Sequence, residues 1–175
     1  MAHSLLMIPV PELDHVVRPR LERLNPGHVS TDPDETTAHI TLLAPFADRD
    51  KIDDGLLAEL RSIFSDVIPF EYKLSEITQF PDGTTYLAPV PSCPFRHLTH
   101  ELFQRFPEFP PYGGAFDEVV PHLTIPTSDE DTIESRRFET GALPITAHAQ
   151  EAALVWWEPG AIHTLETFRF GTTAA

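Results

Sequence analysis

Apolar positions in this chain fall into short runs and helical stripes separated by prolines. The run 5–8, closed by Pro9, Val10 and Pro11, predicts a strand that ends where backbone donors disappear. Over 12–24, Leu13, Val16, Val17, Leu21 and Leu24 recur at helical spacing, with Arg18, Arg20 and Arg23 largely opposite. Asn25, Pro26 and Gly27 end that helix. Residues 28–37 show no periodicity and read as a loop. The β-branched and aliphatic stretch 38–43 predicts a strand bounded by Pro45, and Ile52, Leu56, Leu57, Leu60, Ile63 and Phe64 predict a helix near 50–67. Extended runs at 70–80 and 84–90 flank Pro81, Asp82 and Gly83, a hairpin signal because Asp-Gly tolerates positive φ.

After Pro89, Val90 and Pro91 the pattern starts again. Phe95, Leu98, Leu102, Phe103 and Phe106 predict a helix face, and a Pro/Gly-rich loop runs to about residue 118. A strand at 119–126 and a helical segment at 129–138 follow. Two extended runs, 143–157 and 161–170, are separated by Glu158, Pro159 and Gly160. His39 lies 30 positions after Pro9 and His122 lies 33 after Pro89, so the two parts keep register within three residues. The expected architecture is α+β: one domain of two pseudo-symmetric lobes, with repeat halves at about 5–84 and 85–170. Equivalent residues of the halves then face each other across one cleft.

Length and charge narrow the functional classes. At 175 residues the chain suits a single domain, and 41% apolar residues suffice for its core. With 27 acidic against 12 basic residues the net charge is −15, which disfavours a broad phosphate-tracking surface. A single cysteine, Cys93, excludes an internal disulfide and a C-x-x-C zinc site. The N-terminal apolar run is too short for a signal core or a membrane span, so a cytoplasmic protein with no membrane contact is expected.

Residues i and i+2 of a strand share a face, ~6.6 Å apart along the chain. His39 and Thr41 therefore point together while Ile40 and Leu42 point into the core; His122 and Thr124, backed by Leu123 and Ile125, repeat the device. Two imidazoles and two hydroxyls around one site suit displacement at phosphorus. One histidine can take a proton from the attacking oxygen and the other can protonate the leaving oxygen, because an imidazole exchanges protons near neutral pH. The hydroxyls can donate to the non-bridging oxygens, and no metal or cofactor is required. Spacing alone does not select these residues, since H-x-[ST] occurs four times. His28 with Ser30 lies in a loop, and His97 with Thr99 lies in a helical pattern where i and i+2 diverge by ~200°. Only His39 and His122 combine strand context, alternating core residues, a closing proline and equivalent places in the repeat.

The paired His39-Ile40-Thr41-Leu42 and His122-Leu123-Thr124-Ile125 resemble the signature of the 2H phosphoesterase superfamily, which includes 2′-5′ RNA ligase-like proteins and cyclic phosphodiesterases. The resemblance spans nearly the whole chain, and segment 79–89 is similar to the family's central hairpin. It implies a bilobal α+β fold with a cleft between two antiparallel sheets flanked by helices, and metal-independent handling of 2′,3′-cyclic or 2′-5′ phosphodiesters. It also implies that His39 and His122 act as acid and base and that Thr41 and Thr124 bind phosphate. Which histidine is the base stays open. The acidic chain points to a small nucleotide or RNA end as partner, and to a monomer.

Other residues carry secondary expectations. Arg18 and Arg20 lie in the most basic stretch and are candidate phosphate contacts. Tyr86, Phe80 and whichever of Trp156 and Trp157 turns from the core could stack a base. His97 and His100, at i and i+3, would be the start of a metal site in a rival, metal-dependent hydrolase. A second rival is a non-catalytic module that binds a nucleotide or cyclic phosphate in the same cleft.

Overall fold

The computed structural model describes residues 2–30, 32–115, 119–128 and 143–171. The helical segment expected at 129–138 lies outside the described residues. Among the described residues there are eight strands: β1 (His3–Pro9), β2 (His39–Leu43), β3 (Phe70–Gln79), β4 (Thr85–Val90), β5 (Leu123–Thr124), β6 (Ile145–Ala149), β7 (Glu151–Trp157) and β8 (His163–Arg169). Three α-helices accompany them there: α1 (Asp14–Leu24), α2 (Asp54–Ser65) and α3 (Cys93–Arg105). Helix α2 starts four residues later than the periodicity predicts, because Asp53 caps it by accepting from the Leu56 backbone N–H at 2.9 Å.

In place of the two separate antiparallel sheets that the resemblance implies, the described strands form one antiparallel sheet, ordered β6-β3-β4-β5-β2-β1-β7-β8. The joint is the pairing of β2 with β5, through Ile40 opposite Leu123. β2, which begins at His39, and β5, which His122 immediately precedes, are therefore direct neighbours at the middle of the sheet; of the strand expected at 119–126 only Leu123–Thr124 forms. The run 143–157 is extended, as its composition predicts, but it serves two strands far apart in that order. β6 borders β3 and β7 borders β1, while only Gln150 separates them in the chain. The sheet must curl for one residue to bridge these places. The two expected hairpins also occupy unlike positions: β3 and β4 are interior, whereas β7 and β8 form an edge.

Alternation along the strands explains what each face does. Leu6, Ile8, Ile40, Leu42, Leu87, Leu123 and Leu154 join α1, α2 and α3 in one main core, which spans both ends of the sheet. The opposite face of β1 and β7 carries Leu5, Met7, Ala153 and Val155, a smaller cluster capped by Ile162. β1 is thus buried on both faces, which is why it reads as a continuous apolar run rather than an alternating one. The smaller cluster lies beside the histidine-bearing face and forms its floor.

Candidate active site

Cross-strand register places the two H-x-T pairs. In β2, His39 stands opposite Pro9 and Thr41 opposite Met7. In β5, Thr124 stands opposite Tyr86. Ile40 and Leu123 turn into the main core, so His39, Thr41, His122 and Thr124 occupy the other face, as alternation predicts. Thr41 is half-buried and Thr124 is exposed.

Each imidazole is fixed in the same way. The Nδ1–H of His39 donates to the Thr37 carbonyl at 2.7 Å, and that of His122 donates to the Val120 carbonyl at 2.8 Å. A carbonyl only accepts, so Nδ1 carries the proton and Nε2 is the nitrogen left for exchange with a substrate. Burial pushes the His39 pKa below its ordinary value of 6.5, against the raising effect of the Thr37 bond, and the charge of His122 lowers it further.

The entry to β2 is held from α1. Asp14 Oδ1 accepts from the backbone N–H groups of Thr37 at 2.6 Å and Ala38 at 2.8 Å, and Oδ2 accepts from Arg18 Nε at 3.1 Å. Asp14 therefore sets the peptide whose carbonyl orients His39. Sequence patterning could not find it, because an acidic residue in a helix's first turn is commonplace.

Aromatic rings bracket both histidines. Trp157 lies 6.0 Å from His39, ring centre to ring centre, and Trp156 is the neighbour that turns away, donating to Glu158 at 3.0 Å. Around His122 stand Phe80 at 5.0 Å, Tyr86 at 5.7 Å and Tyr112 at 6.4 Å. Phe80 and Tyr86 stack on each other at 4.0 Å. A cavity of about 310 Å³ opens beside His39 and Thr41, and one of about 610 Å³ beside His122, Phe80 and Asp82. The Asp82 carboxyl is held below its usual range by the N–H and hydroxyl of Thr84.

Several positions differ from the sequence reading. Arg18 is committed to Asp14 and to the Glu35 carbonyl. Arg20 is buried and donates through Nε to the Pro126 carbonyl at 2.8 Å, bracing the chain just after β5. Both arginines bond to the protein itself, and neither lines the cavity beside His39 and Thr41 or the one beside His122. Among the described residues no Lys or Arg lines either cavity, and His3 joins His39 in the lining of the smaller one. His28 ends a 3-10 helix (Pro26–His28) rather than opening the loop expected from residue 28, and its ring lies 5.6 Å from Trp157 in a small pocket shared with His39. His97 and His100 lie on α3, where their nearest partners are Glu101 and Gln104. Among the described residues no group of three or more His, Cys, Asp or Glu side chains could hold a metal ion. No described helix is long and apolar enough to cross a membrane.

The family model of the 2′-5′ RNA ligase superfamily matches residues 13–161. The chain belongs to this superfamily. As a 2′-5′ RNA ligase superfamily member it shares its fold with TT0787 of Thermus thermophilus, at TM-score 0.61 and 16% identity, covering 99% of this chain and 100% of that one. E. coli LigT complexed with 3′-AMP is similar at TM-score 0.53 and 14% identity, over 97% of this chain and 98% of LigT. A structure described as a phosphoesterase matches at TM-score 0.57 and 14% identity, over 98% and 99%. LigT has also been crystallised with ATP and with NADP+. No curated protein matches the sequence. The superfamily assignment agrees with the resemblance carried by the two H-x-T strands, and identities this low establish the fold alone.

Proposed function

We propose that this phosphoesterase-family protein hydrolyses a 2′,3′-cyclic phosphate, or a related cyclic or 2′-5′ phosphodiester, on a small nucleotide or RNA end. The observation that carries this reading is the matched pair of imidazoles at the starts of two adjacent central strands, His39 opening β2 and His122 just before β5, each with Nδ1 bound to a carbonyl two residues back. Both Nε2 atoms are thereby available for proton exchange at one phosphorus. His39, whose burial favours the neutral ring, takes the proton from the attacking water as its oxygen bonds to phosphorus. A protonated His122 gives its Nε2 proton to the ribose oxygen as the phosphorus–oxygen bond breaks. The products are a phosphomonoester with a free hydroxyl, and proton exchange with solvent resets both rings. Thr41 and Thr124 donate to the non-bridging oxygens, where charge accumulates. No step calls on a metal. The nucleotide complexes of LigT support a substrate of that size.

The test is turnover of 2′,3′-cyclic nucleotides in EDTA, followed by separation of the monophosphate products. His39→Ala and His122→Ala should each lose roughly 10²–10⁴-fold in rate, the usual worth of a positioned acid or base, with the fold unchanged by circular dichroism. Full activity in either variant overturns the assignment. Binding of a cyclic nucleotide without turnover by the unmodified protein would make the cleft a recognition module instead.

A further inference from the structure

Among the described residues, Tyr112 is the one side chain common to the linings of the cavity beside His39 and the cavity beside His122. Its backbone lies in the left-handed region, with φ 51° and ψ 33°, where a side chain is sterically disfavoured. Gly113 and Gly114 follow it at φ 64° and 77°. Glycine at 112 would relieve the strain, so a bulky residue there is held for a reason beyond the turn. The position is secured: the Tyr112 N–H donates to the Ala44 carbonyl at 2.6 Å, at the end of the segment leaving β2. The ring lies nearly parallel to His122, 6.4 Å away at 20°, and burial raises its phenol pKa.

The two compartments differ in size. Ligand pockets run from roughly 300 to 1,000 Å³. The His122 side, at about 610 Å³ and lined by Phe80, accommodates a nucleoside with its base against an aromatic ring. The His39 side, at about 310 Å³ and lined by Trp157 and Tyr112, has about half that room.

We infer that Tyr112 is a specificity-determining partition: it walls the cleft so that a diester with one bulky arm, a cyclic nucleotide, is accepted over one carrying nucleosides on both sides. This rests on the phosphodiesterase reading above. Shape, not the phenol hydroxyl, does the selecting.

The test compares kcat/KM for 2′,3′-cyclic AMP and for adenylyl-2′,5′-adenosine in the unmodified protein, Tyr112→Asn and Tyr112→Phe. Asn tolerates the left-handed backbone and removes the wall, so that variant can fold where others are strained. The unmodified protein should prefer the cyclic substrate. In Tyr112→Asn the preference ratio should fall at least tenfold, chiefly through a lower KM for the dinucleotide, while Tyr112→Phe keeps the ratio within about threefold. A thermal melt of each variant separates lost fold from changed selectivity; if Tyr112→Asn does not fold, Tyr112→Gly, which suits the left-handed backbone and also removes the wall, is read by the same ratio. Turnover by the unmodified protein with an unchanged ratio in the variant, or a native preference for the dinucleotide, overturns the partition but leaves the phosphodiesterase reading intact. Turnover of neither substrate by the unmodified protein overturns both.

Discussion

Asp14 connects the stability of the fold to the orientation of His39, and replacing it separates the two effects. Its Oδ1 accepts two hydrogen bonds from consecutive backbone N–H groups, at 2.6 and 2.8 Å. A hydrogen bond to a charged group contributes about 1.5–3 kcal/mol net, and contributions at one atom do not add fully, so Asp14→Ala should cost about 3 kcal/mol. That is about a 150-fold change in the folded-to-unfolded ratio. For a chain of this size it lowers the melting midpoint by about 6–12 °C. Asp14→Asn keeps an oxygen toward both N–H groups but turns an amide donor toward Arg18 Nε, so it should recover about half of the loss. The Thr37 peptide supplies the carbonyl that orients His39. Loosening it should lower kcat for 2′,3′-cyclic AMP about tenfold in the Ala variant while KM changes little. Thermal melts and steady-state kinetics on both variants provide the assay. An unchanged melting midpoint in Asp14→Ala would refute the energetic reasoning, and a lower midpoint with unchanged kcat would refute the link to His39.

Three further outcomes follow from the burial of His39 and the tie made by Arg20. Because burial lowers the His39 pKa, its imidazole should titrate below 6.5 by NMR, and the acid limb of kcat/KM should follow it down. The unfolded state binds the extra proton first, so this histidine's contribution to stability is complete above pH 6.5 and declines as pH falls from 6.5 through the folded-state pKa; denaturant midpoints rising with acidification in that window would contradict it. Arg20→Met removes the donor to the Pro126 carbonyl and should cost about 1–3 kcal/mol of stability, with KM for a cyclic nucleotide changed less than about threefold. A KM raised tenfold at unchanged stability would restore Arg20 as a phosphate contact.

The sequence alone located the three described helices and the strands β1 to β4, whereas of the strand expected at 119–126 only Leu123–Thr124 forms. Alternation in His39-Ile40-Thr41-Leu42 and His122-Leu123-Thr124-Ile125 dictates that core residues point one way and polar ones the other, and period-two sterics leave no alternative once one face is buried. Helical stripes and proline stops located α1, α2 and α3 for the same reason: spacing is a local property. Strand order is not. That β2 adjoins β5 to make one sheet, and that the run through Gln150 divides between distant strands, depends on long-range hydrogen bonding that no local pattern encodes. Only the tertiary structure could turn Arg18 and Arg20 into ties of α1, bring Asp14 to the start of β2, and set Tyr112 between two cavities. Each of those roles is decided by which groups meet across the fold, and a loop such as 110–114 carries no periodicity from which its destination could be read.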